Sequence, residues 1–225
     1  MTFSRRIAFI AASTSLSLVM VSAEVLAASP PQPDDLTNVA AANPKVPGFA
    51  QRLLFTAEAG ANGGVWQATL DVPSRVTNLQ PFIGRGGFEG IQNDPDGNLW
   101  IVEDVGGATG TGANSTARRP NSYVYRFIPN DIHDLTKGGR LQALQVFDTH
   151  NAPITWGIDL TADQAAFTEG VKTLHTCGLS LNTRWITLAT TDAAATAPGS
   201  DANALARAQG ATPFKRPGRD RGRLI

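Results

Sequence analysis

Three acidic side chains, Glu89, Glu103 and Asp104, bracket one apolar stretch, GGFEGIQNDPDGNLWIVED at residues 86–104. Between them lies NDPDG, a turn by its chemistry. Pro95 fixes φ, the Asp94 and Asp96 carboxylates accept from nearby backbone N–H groups, and Gly97 tolerates positive φ. The flanking segments then pair as antiparallel strands whose side chains alternate between two faces. Leu99, Ile101 and Glu103 share one face of the second strand, while Trp100, Val102 and Asp104 share the other. Glu89, beside Phe88, falls at the same end of the hairpin as the Glu103–Asp104 pair. Carboxylates in apolar company cost desolvation unless something neutralises them. Oxygens converging at one hairpin end suit a hard cation such as calcium. The alternative is that the acids face water or pair with Arg85, Arg118 or Arg119.

The elements that must position these acids read as short strands. RLLFTAEA and GVWQATLDV are separated by Gly60, Gly63 and Gly64, which suits a hairpin. GNLWIVED, NSYVYRFIP, RLQALQVFD and TRWITLATT follow, enriched in β-branched and aromatic residues. In SYVYRF, Tyr123, Tyr125 and Phe127 alternate with Ser122, Val124 and Arg126. Two helices interrupt the strands. LTADQAAFTEGVKTLHT opens on a capping box, Thr161 with Gln164, and SDANALARAQG runs from Ser200 or Asp201 to Gly210. Residues 106–122, GGATGTGANSTARRPNS, are Gly-rich but lack the Gly-Lys-Ser/Thr of a phosphate cradle, and read as a long loop. Many short strands joined by Gly and Pro turns indicate a sandwich, a barrel or a propeller, and no fixed-period repeat chooses among them.

Composition narrows the class. The 225 residues are 42% hydrophobic, enough for one domain with a real core. A formal net charge of zero supplies no field to attract nucleic acid, which argues against phosphate-backbone binding. Residues 1–27 carry a basic start, MTFSRR, then an apolar run ending in small residues, and read as an export signal with a loose twin-arginine pattern. No membrane association is expected once it is removed. Residues 28–50, rich in Pro, Ala and Asn, read as an extended arm, and 218–225 as a basic tail. The lone Cys177 excludes an internal disulfide; a small buried filler and a metal thiolate are its two readings, with the filler preferred. His133, His150 and His175 stand singly in polar surroundings and read as surface residues. HExxH, GxSxG and CxxC motifs are absent.

GGFEGIQNDPDGNLWIVEDVGG, PNSYVYRFIPNDIHDLTKGGRLQALQV and DANALARAQGATPFKRP together resemble the PhoX-type alkaline phosphatase family, over residues 84–217. The resemblance implies a six-bladed β-propeller whose site holds iron and calcium and hydrolyses phosphate monoesters in an exported protein. Glu89 then matches a metal ligand, Glu103 and Asp104 match the Glu-Asp closing the next strand, and Arg216 matches an arginine that contacts substrate phosphate. Two positions depart from the pattern. Gly218 stands where the family has a metal-binding glutamate, and no cysteine precedes Glu89. The resemblance also implies further blades beyond Ile225. The expectation is therefore a mainly β protein, a partial β-propeller over 51–217 with two short helical insertions. Its activity would be metal-dependent phosphomonoester hydrolysis or, failing that, calcium binding without catalysis.

Overall fold

The computed structural model describes residues 52–57, 62–115, 117–157, 159–196 and 199–215. The export signal 1–27, the arm 28–50, Arg216 and the tail 218–225 lie outside the described residues.

The described residues include eight strands in two antiparallel meanders. The first has the order β1-β2-β3, with β1 Arg52–Ala57, β2 Gly64–Thr69 and β3 Val76–Asn78. The second has the order β4-β5-β6-β7-β8, with β4 Phe88–Asn93, β5 Leu99–Glu103, β6 Val124–Pro129, β7 Gly139–Val146 and β8 Thr183–Thr190. The mainly β class and the strand segments expected from sequence are thus present, but the described residues form no closed ring of blades. The three-residue β3 has no marked alternation and was not anticipated.

Alternation fixes which face is buried. Leu99, Ile101, Tyr125 and Phe127 are all fully buried, and the register sets Ile101 opposite Tyr125 and Leu99 opposite Phe127. Phe88 meets Tyr125 edge-to-face, with ring centroids 5.5 Å apart. Burying a side chain such as Phe127 stabilises by about 2–3 kcal/mol. The same cluster takes in Leu54 and Val65 from the small sheet, so one apolar core spans both meanders.

The helices are shorter and more numerous than expected: α1 Gln80–Ile83, α2 Ala162–Ala166, α3 Glu169–Leu174 and α4 Ala202–Ala208. The segment read as one helix from Thr161 is two. The Thr161–Gln164 capping box forms, but Thr168 then adopts an extended conformation and caps α3 through Val171 N–H, interrupting the run. Cys177 is exposed, which corrects the buried-filler reading. It sits in the turn after α3, ahead of Gly178 at φ 80°.

Helix α4 is pinned to the start of β4. Arg85 N–H donates to Ser200 O and Ala202 N–H to Arg85 O, both at 2.8 Å. Asp201 caps the helix by accepting from Ala204 N–H at 3.0 Å. Gly199 permits this closeness, since a Cβ there would lie 1.8 Å from Gln80 O. Ala202 and Ala206, four residues apart, press into the core, which leaves Asn203 and Arg207 together on a neighbouring face.

Candidate functional site at the open end of the β4–β5 hairpin

The NDPDG turn behaves as its chemistry requires. Gly97 has φ 85°, and Asp94 Oδ1 accepts from Asp96 N–H and Asn98 N–H at 3.0 and 2.9 Å. At the opposite end of the hairpin a bulge intervenes: Phe88 pairs with Glu103 and Gly90 with Val102, leaving Glu89 as the extra residue. Thr56 Oγ1 of β1 donates to Glu89 O at 2.7 Å, holding the bulge against the small sheet. Asp104 follows β5, with its N–H donating to Gly87 O at 2.8 Å.

All three predicted acids are buried: Glu103 is 0% exposed, Glu89 1% and Asp104 8%. The alternative that they face water is overturned: the bulge accommodates Glu89, alternation on β5 turns Glu103 inward, and Asp104 is buried just past the strand end rather than by alternation. Hairpin pairing brings their residues to one end. Even so, among the described residues no three His, Cys, Asp or Glu side chains gather as a metal-ligating group. Arg216, expected to meet substrate, lies outside the described residues.

Glu103 is the best-defined member. Its Oε2 accepts from Tyr125 Oη–H at 2.9 Å, Asn203 Nδ2–H at 2.9 Å and Tyr123 N–H at 3.2 Å. Its Oε1 is buried with no hydrogen-bond partner. Burial pushes the Glu103 carboxyl up to about 7, against the pull of those donors. Burial likewise raises the Tyr125 phenol well above its usual range, helped by the Glu103 charge. Tyr123 is pushed up to about 12 by burial, offset in part by the charge of Arg207.

Asn203 links this carboxylate to a second polar group. Its Nδ2 also donates to Asn121 O at 2.7 Å, and its Oδ1 accepts from Arg207 Nη2 at 3.1 Å. Arg207 Nη2 also reaches Asn121 Oδ1 at 2.8 Å. Tyr123 and Tyr125 were visible in the sequence only as members of an alternating row, and Asn203, Asn121 and Arg207 were not singled out as site residues. The i,i+4 spacing of Asn203 and Arg207 on a capped helix was the one available clue.

A cation placed here would find charge, burial and one oxygen without a donor, Glu103 Oε1, but the described acids do not complete a cage. Chemically, the arrangement holds a carboxyl that can be neutral or charged near pH 7, anchored through one oxygen. No protein-family model matches the chain, and neither does any curated protein or solved structure.

Proposed function

We propose that the chain is an exported phosphomonoesterase of the PhoX type, with the open end of the β4–β5 hairpin at its metal-dependent site. The observation that carries this proposal is Glu103: fully buried, anchored through Oε2, and lacking any donor at Oε1. A carboxylate built so is suited to ligate a cation or hold a proton, since burial without such a role only costs stability. Glu89 and Asp104, buried at the same hairpin end, add charge of the sign that calcium and iron require. Antiparallel meanders are the form that propeller blades take, so a partial propeller accommodates both sheets. Calcium or iron, when bound, would polarise phosphoryl oxygens. Tyr125 and Asn203 would orient Glu103, and Arg216 would supply a planar fork to the ester phosphate.

Hydrolysis of p-nitrophenyl phosphate by protein loaded with calcium and iron tests this reading. Turnover should be lost in Glu103→Gln and Glu89→Ala. A wild-type rate no greater than that of Glu89→Ala rejects it.

Two departures in the sequence favour a second reading, calcium binding without catalysis: Gly218 stands where the family has a metal-binding glutamate, and no cysteine precedes Glu89. Calcorimetric titration with calcium separates the two. Saturable uptake abolished by Glu103→Gln, with no ester turnover, selects binding alone.

A further inference from the structure

Trp156 carries two guanidinium groups. The Cζ atoms of Arg119 and Arg207 each lie 3.9 Å from the centroid of its indole. Both arginines are otherwise held by neutral acceptors. Arg119 donates through Nη1 to Leu160 O at 2.9 Å and through Nη2 to Gly157 O. Arg207 donates through Nη2 to the amide oxygens of Asn121 and Asn203. Among the described residues no carboxylate forms an ion pair with either. Arg119 Nε is buried and donates to nothing. Burial, reinforced by the charge of Arg207, lowers the Arg119 pKa. Two positive charges on one indole are therefore stabilised by ring and amide dipoles alone, an arrangement short of an anion.

A cavity of about 240 Å³ opens beside Arg119 and the indole, lined by these two and by Thr155, Thr168 and Asp148 among others, with Arg207 outside its wall. Asp148 is its one acid, and its Oδ1 is occupied by the N–H groups of His150 and Ala152, both at 2.8 Å. Thr168 Oγ1 accepts from Val171 N–H, which leaves its own hydroxyl hydrogen available.

We propose that this cavity is an oxyanion site that takes inorganic phosphate or the phosphoryl group of a small ester, with Arg119 as its donor and Arg207 as a second charge beside the same indole. A tetrahedral phosphate accepts from several directions and matches hydroxyls and a guanidinium spread around a wall; a planar carboxylate uses fewer of them. The proposed site does not depend on the metal proposed at Glu103. Asn203 joins the two regions, bonding Glu103 on one side and Arg207 on the other.

The full chain, in low-salt buffer with a chelator, is titrated with inorganic phosphate while the indole N–H resonance of Trp156 is followed by NMR. Trp156→Phe assigns that signal among the four tryptophans. The expected result is a saturable shift confined to Trp156, with affinity about tenfold weaker in Arg207→Gln. Arg119→Lys, which keeps the charge but loses the fork, should weaken binding similarly. Arg119 also secures two loop carbonyls, so the exposed Arg207 decides the outcome if that variant does not fold. No saturable shift, an equal shift with acetate or chloride at matched ionic strength, or unchanged affinity in Arg207→Gln overturns the proposal. The chelator separates it from the phosphatase reading, which fails only in the metal-loaded assay.

Discussion

Asp94 and Glu103 occupy opposite ends of the same hairpin and answer burial in opposite ways. Asp94 divides its bonds over both oxygens: Oδ1 takes two backbone N–H groups, while Oδ2 takes Asn98 Nδ2–H and Trp100 Nε1–H at 2.9 and 3.0 Å. Burial pushes its carboxyl upward, but these donors win and its pKa falls below the ordinary value. Glu103 makes its three hydrogen bonds through one oxygen, with the Gly87 backbone adding a further pull on the charged form, and still burial wins. The difference shows that the depth and distribution of donors, rather than their mere presence, decide whether a carboxylate serves as a structural fastener or stays open to a ligand.

The largest expected effect is from Glu103→Ala. It strands Tyr125 Oη, leaves Asn203 Nδ2 with only its bond to Asn121 O, and opens a void, for about 4 kcal/mol of destabilisation by urea unfolding. If it costs no more than Asp94→Ala, the contrast between the two ends collapses.

Next is the pH dependence. The folded Glu103 carboxyl sits at about 7 against an ordinary value of 4.5, a difference of roughly 3 kcal/mol. Because the folded state holds the proton more tightly, that stabilisation is complete below about pH 4.5 and is lost as pH rises through about 7. Unfolding measured between pH 4 and 8 should show this decline, and Glu103→Gln should flatten it. Asp94 contributes with the opposite sign: its share is present above the ordinary carboxylate value and is lost only as pH falls through its lowered one.

Asp94→Ala should cost about 1–2 kcal/mol in thermal or urea unfolding, because it removes the turn's side-chain acceptor. The smallest effect expected is from Tyr125→Phe, about 1 kcal/mol. It should also move the Glu103 titration, followed by carboxyl NMR, to still higher pH, since a bond to the charged form is lost. A downward movement would show that Tyr125 does not stabilise the carboxylate.

Much of this hairpin was legible from local chemistry. Pro95 and Gly97 set the turn, and the two-residue period of Leu99, Ile101 and Glu103 put the acid in line with an apolar row, which the structure buries. The Thr161–Gln164 cap was readable for the same reason, being complete within four residues. What followed it was not, because Thr168 restarts the helix through a cap that competes with a continuous apolar pattern. Cys177 misled because a small apolar side chain says little about burial when a turn carries it outward. The partners of Glu103 were hidden for a different reason: Tyr123 and Tyr125 arrive by strand pairing, and Asn203 by the docking of α4, so no spacing in the chain ties them to Glu103.

The contact from Asn203 spans 100 residues of chain, and the joint between Arg85 and Ser200 that aims it is similarly remote. Contacts of such sequence separation are slow to form, because a long loop must close before they return any stabilisation. During synthesis the hairpin therefore emerges well before the helix that completes its polar end. Until then Glu103 lacks one of its donors, and the nascent chain carries a carboxyl whose polar surroundings are still incomplete.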